Sequence, residues 1–437
     1  MAYGRRPLLI SLLFAVLWIP EARAGVDKRT AADIDREIEK IRPEMVKVRR
    51  YIHMYPELAN REVETARNLA AKLASWGLEV KTGVARTGVV ALLRGDRPGS
   101  TVALRAEMDA VPIPETADVP FKSLNAGVMH ATGHDLHAAV VLGTAYVLST
   151  LKERLAGNVK FIFQPASESP PDDEESGAAL MIKEGVLDNP PVGAMYGFHV
   201  WPEAYGQVFT APGILLAGSD TFEITVKGRT APGFQPQDGV DAVVLAAEVI
   251  LALQTIVSRA VEPSDPTLLT IGRIDGGTKS DVIADRVRLE GIVRTLNDAT
   301  RKKVQRLMDS AVKGVVQAFG GDYAFTFKQD VPPLYNHPEL VDLVLPTLRD
   351  ALGERQVQPV KPQMMSDDFS FFAQKVPAFY FFLGARNPRL PAAPLSSPNF
   401  NPDERAIGTG IKILSHLVLD GLDRQSRLAK DVVEVRR

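Results

Sequence analysis

Val128-Met-His-Ala-Thr-Gly-His-Asp-Leu-His-Ala-Ala-Val-Val-Leu-Gly143 is the stretch around which the chain is organised. It carries three of the seven histidines: His130, His134 and His137. Gly133 breaks the chain, and the apolar pattern after it predicts a helix to about Leu151. His134 and His137 are three apart, so they share one face of its first turn. Imidazoles beside Asp135 at a helix start suit a cation-binding corner. They suit equally a polar helix start whose side chains cap and hydrogen-bond.

The flanking segments set the fold class. Upstream, the β-rich run Val102 to Arg105 delivers Glu107-Met-Asp109 at a strand's C-terminal end, where open α/β sheets place their sites. Downstream, Val159 to Phe163 opens into Gln164-Pro-Ala-Ser-Glu-Ser169 and an acidic loop holding Asp172, Asp173 and Glu174. A further strand ends at His199. Earlier, Ile34, Ile38, Ile41, Met45, Val48 and Ile52 recur at helical spacing. This alternation predicts a mixed, mostly parallel sheet with helices on both faces. Residues 213–326 change texture and follow a β-α-β-β-α-β order, predicting an inserted ferredoxin-like domain. The parent domain is then 25–212 and 327–437.

Composition narrows the function classes. Of 437 residues, 45% are hydrophobic and 24% charged, as in ordinary globular chains. The net charge of −2 gives no reason to expect nucleic acid or an anionic membrane surface. With no cysteine there is no disulfide, zinc–thiolate site or cysteine nucleophile. Arg5 and Arg6, the apolar run Leu8 to Ile19 and Ala22-Arg-Ala24 predict a signal peptide over residues 1–24, hence export to the periplasm or medium. No later stretch reads as a membrane span.

Seven motifs in order carry a resemblance over nearly the whole mature chain. They are His53-x-x-Pro-Glu-Leu58, Met108-Asp-Ala-Val-Pro112, Met129-His-x-x-Gly-His-Asp135, Gln164-Pro-Ala166, Phe198-His-Val-Trp-Pro202, Gly239-Val-Asp241 and Asp368-Phe-Ser370. The chain resembles the di-metal amidohydrolases of hippurate, N-acyl amino acids and auxin conjugates. The resemblance implies a zinc-exopeptidase-like domain interrupted by a lid, a homodimer through that lid, and cleavage of an amide beside a free carboxylate. It implies five metal ligands, a glutamate base and a lid histidine.

Several of those positions are substituted. The resemblance places Thr132 at a thiolate ligand, Ser167 at the general base, Ser396 at the late histidine ligand and Pro232 at the lid histidine. Glu107 stands for an aspartate, and Asp281-Val-Ile-Ala284 for Asn-Val-Ile-Pro. His134, Glu168 and His199 remain as ligands, with Asp109 as the retained catalytic carboxylate. Two histidines and a carboxylate suit one divalent ion of the zinc or manganese class, or none. A serine hydroxyl is no base near neutral pH. The expectation is an amidohydrolase-family protein with a degraded site. Its alternatives are a non-catalytic binding protein, a single-metal hydrolase, and a partner-binding role of the lid. The ligand expected is a small acyl-amino-acid or peptide-like molecule, with Arg273 and Arg294 as candidates for its carboxylate. His53, His337 and His416 read as structural.

Overall fold

The structure is a computed structural model describing residues 25–168, 170–171 and 174–435. The signal peptide expected over 1–24, and Asp172 and Asp173, lie outside them.

The parent sheet has eight strands. Its centre is four parallel strands, in spatial order Ala156–Gln164, Arg97–Glu107, Val192–Ala204 and Ala378–Arg386. Antiparallel neighbours flank them, so the sheet is mixed. Side chains alternate strictly between two cores. Val102, Leu104, Phe161, Phe379 and Phe381 point to one face, where helices Lys28–Met54, His134–Thr150 and Ala406–Val435 pack. Ala103, Ile162, Tyr380 and Phe382 point to the other, beneath Gly177–Lys183 and Phe369–Ala373. A period of two with both faces apolar is what a covered sheet requires.

The helix His134–Thr150 is buried almost throughout, so its start lies deep in the domain. Gly133 precedes it at φ +89°, and a Cβ there would stand 2.4 Å from Val200 Cγ2. Both the left-handed turn and the close approach demand glycine.

The inserted unit has four antiparallel strands, Gly218–Lys227, Thr267–Gly276, Arg286–Thr295 and Asp322–Val331, under helices Ala242–Thr255 and Asp298–Ala318. In space the strands run second, third, first, fourth. The unit has its own core, which includes Ile224, Val226, Val249, Leu289, Val304 and Met308. Its last strand continues past residue 326 to Val331.

One expectation needs correcting. The stretch Ala242–Ala260 is long and apolar enough to cross a membrane by composition. Its apolar residues are not confined to one side. Leu245, Val249 and Leu253 enter the lid core, while Val243, Val244 and Leu251 are exposed.

Candidate metal and ligand site

The site gathers where three parallel strands end and the helix His134–Thr150 begins. Asp109 is its anchor. It is fully buried, and its Oδ1 accepts the Ser167 hydroxyl at 2.8 Å while its Oδ2 accepts the Glu168 N–H at 2.7 Å. The His134 Nδ1–H donates to the Asp109 carbonyl at 2.8 Å and lies 3.1 Å from Oδ1. Burial pushes the Asp109 carboxyl up, but His134, Glu168 and Ser167 hold it below its usual range.

These contacts fix the His134 ring. With Nδ1 donating, Nε2 is the nitrogen left to face Glu168, whose Oε1 is 3.5 Å away. Burial opposes charge on this ring, yet Asp109 and Glu168 hold its pKa well above the ordinary value. His199 is oriented likewise, its Nδ1–H donating to the Val200 carbonyl at 2.8 Å. The rings of His134 and His199 meet edge-on at 5.8 Å between centroids. Two imidazoles whose Nδ1 is committed to a carbonyl have the ring orientation that metal-binding histidines adopt.

Ligand-type atoms of Glu107, His134, His137 and His199 all lie within 4.8 Å of one another. Two of the four are already engaged. The His137 Nδ1–H donates to Glu107 Oε2 at 2.9 Å, and His137 Nε2 accepts the Val200 N–H at 2.9 Å. The other oxygen of Glu107 pairs with Arg105, which also holds Asp367 and Asp368. Burial pushes His137 down to about 4, so its ring is neutral at ordinary pH. Helical spacing puts His134 and His137 on one face, but both ring nitrogens of His137 are engaged, by Glu107 and the Val200 N–H. Its bond to Val200 positions the residue beside His199.

The donors that remain are His134, His199 and Glu168, the last one-third exposed at its side chain. They fit one cation. They do not fit a bridged pair. Thr132 Oγ1 is buried without a hydrogen-bond partner among the described residues, and a neutral hydroxyl replaces a thiolate poorly. The Ser396 N–H donates to the Ala131 carbonyl at 3.0 Å, which sets the Ser396 segment beside Thr132 with another hydroxyl. His130 is also buried with both ring nitrogens unpartnered, and burial pushes it down to about 3.

The remaining candidates divide. Pro232 is exposed in the lid, paired with Val282 in a two-residue strand. Arg273 is a surface residue beside Asp275 and Glu290. Arg294 is half-buried, donates to the Met364 carbonyl at 2.7 Å and has no carboxylate partner among the described residues. Burial pushes its pKa down. Glu174 is tied to Asn60, Arg61 and Arg86, so it is no stand-in base. Of the histidines read as structural, His337 accepts the Ala378 N–H and His416 is buried.

Residues 103–420 match Peptidase family M20/M25/M40. The chain belongs to this family. It is similar to thermostable carboxypeptidase 2 of Saccharolobus solfataricus, at 36% identity over 88% of this chain and 97% of that protein. It is similar to an N-acetyl-L-cysteine deacetylase of Bacillus subtilis, at 34% identity over 85% and 86%. Among solved structures it resembles a dinuclear metal-binding M20 peptidase of Bacillus subtilis, with a TM-score of 0.75 and 29% identity over 88% of this chain and 99% of that one. The M20 fold brings divalent-metal chemistry with it.

Glu62, Thr87 and the Arg105–Glu107 pair were not singled out by pattern. Glu62 reaches across 104 residues to Ala166, a separation that leaves no local spacing to read.

Proposed function

We propose that the protein binds N-acyl amino acids or small peptide-like carboxylates at a site holding one divalent cation, and that efficient two-ion amide hydrolysis is lost. One observation carries this reading. At the position where the reaction needs a carboxylate base, Ser167 offers a hydroxyl whose proton is already given to Asp109. A divalent ion held by His134, His199 and Glu168 would polarise a bound carbonyl and acidify a bound water. Asp109 is occupied by His134, Ser167 and the Glu168 N–H, and with the Glu168 carboxylate given to the cation, Ser167 supplies no acceptor for that proton.

The ligand class follows from the relatives, which are named as a carboxypeptidase and an N-acetyl-L-cysteine deacetylase. It draws also on Arg294, whose guanidinium donates to the Met364 carbonyl and has no carboxylate partner among the described residues, as suits a ligand carboxylate. The exposed Val243, Val244 and Leu251 support a homodimer through the lid, testable by sedimentation.

The deciding experiment is the metal content of the purified mature protein, with binding and turnover of N-acetyl amino acids measured together. One ion per chain and saturable binding without turnover are expected. One ion with turnover would select a single-metal hydrolase. Two tightly held ions with brisk turnover would overturn the proposal. Arg294→Ala should weaken N-acetyl-amino-acid binding by about tenfold to a hundredfold, the worth of a charged hydrogen bond.

A further inference from the structure

We propose that Glu62 is a positioning residue that holds Ser167 and Glu168 in the site. It rests on the placement of Glu168 among the cation's donors, argued above. Glu62 is fully buried, so it acts through its neighbours. Its Oε1 accepts the Ala166 N–H at 2.9 Å, and its Oε2 accepts the Thr87 hydroxyl at 2.5 Å.

Ala166 is where such a hold is needed. It is buried and sits at φ +48°, in the left-handed region, although it carries a Cβ. That conformation is unfavourable in an L-residue and persists only where the surroundings impose it. Glu62 takes the Ala166 N–H, and the Ala166 carbonyl accepts the Gly177 N–H at 3.0 Å. Gly177 is required there, since a Cβ on it would stand 1.7 Å from the Pro165 carbonyl oxygen. The next two residues are taken by Asp109, through the Ser167 hydroxyl and the Glu168 N–H. Two carboxylates therefore hold three consecutive residues.

Packing alone does not explain a carboxylate at this place. Burying it beside Asp109 is unfavourable, and an apolar side chain would fill the space without that penalty. A strained turn held by a costly group marks a position selected for geometry. Thr87 extends the hold to the turn at Ala85 and Arg86, both also at positive φ. Glu62 thus joins the start of helix Val63–Ser75, a hairpin turn and the site.

The test uses the full mature chain, with hydrogen–deuterium exchange of the 165–168 segment and titration with Mn²⁺. Glu62→Ala should speed exchange at Ala166 and Glu168 and weaken Mn²⁺ binding by about tenfold to a hundredfold, the range for groups that orient a ligand. Glu62→Gln should keep both within about threefold, because its amide oxygen still accepts the Ala166 N–H. Adding Ala166→Gly to Glu62→Ala should restore Mn²⁺ binding, since glycine takes φ +48° without the Cβ penalty. Unchanged exchange in Glu62→Ala would overturn the proposal, as would a folded double variant that does not recover. If Glu62→Ala does not fold, the double variant decides: it folds and binds, or the proposal falls. Should the wild type bind no Mn²⁺, the one-ion reading fails while the exchange measurement still judges Glu62.

Discussion

Two acidic–imidazole clusters flank the first turn of the helix His134–Thr150. They differ in whether charge is paired with opposite charge: one cluster holds an arginine, the other does not. On one side, Asp135 Oδ2 lies 2.7 Å from Arg49 Nε and 2.8 Å from His53 Nδ1, while its Oδ1 accepts the Leu136 N–H. His53 Nε2 is 3.1 Å from Glu115, and Arg49 also reaches Glu404. All four of Arg49, His53, Glu115 and Asp135 have side chains no more than 2% exposed. On the other side, Asp109 is equally satisfied, but His134 Nε2 meets Glu168 only at 3.5 Å and His199 stands edge-on to His134. Neighbours in sequence, Asp135 and His134, are thus a structural tie and a candidate ligand. The difference is made by distant segments, helix Lys28–Met54 for one and strand Arg97–Glu107 for the other.

The sharpest way to break this comparison is to restore what the open cluster lacks. Thr132→Cys, Ser167→Glu, Pro232→His and Ser396→His together should raise turnover of N-acetyl amino acids by about a thousandfold or more, the joint worth of a base and an oxyanion donor. No gain in a folded variant would count against the degraded-site account.

The closed cluster should behave oppositely. Asp135→Ala strands a buried guanidinium and should cost about 3–5 kcal/mol in urea unfolding. Mn²⁺ affinity of the folded fraction should hardly move. His134→Ala should lower Mn²⁺ affinity by about a hundredfold or more and cost less stability, because it removes a direct donor. If the two variants shift the same quantity, the clusters are not the separate devices described here.

Much of this was legible in the sequence, and the illegible part has a common cause. Alternation of apolar residues and the glycine at 133 gave the sheet and the helix start, since both depend on local periodicity. That His134 and His199 meet was readable because motifs fix their spacing from strand ends. His137 was not, because i and i+3 spacing reports a shared face and not that both ring nitrogens are taken by Glu107 and the Val200 N–H. The roles of Arg105 and Glu62 depend on partners 262 and 104 residues away, Asp367 and Ala166. The double-sided apolarity of Ala242–Ala260 is legible in its composition, and only the choice of buried side needs the fold.

The smallest effect concerns pH, and it separates strain from charge at the junction of the two clusters' surroundings. Burial, then the nearby Asp109, push Glu62 up to about 7. A carboxyl raised in the fold binds its proton more tightly there than in the unfolded chain. Its penalty is therefore absent below the unfolded value, near 4.5, and grows as pH rises toward about 7. Over that window the wild type should lose on the order of 2–3 kcal/mol of stability from this group alone, and Glu62→Gln should not. Urea midpoints at pH 5 and pH 8 give the measurement. The Gln variant should gain on the wild type as pH rises, while the Ala166 hydrogen bond persists in both. If the gap between them is constant, Glu62 titrates at an ordinary value and is solvated, contrary to its place behind Ala166.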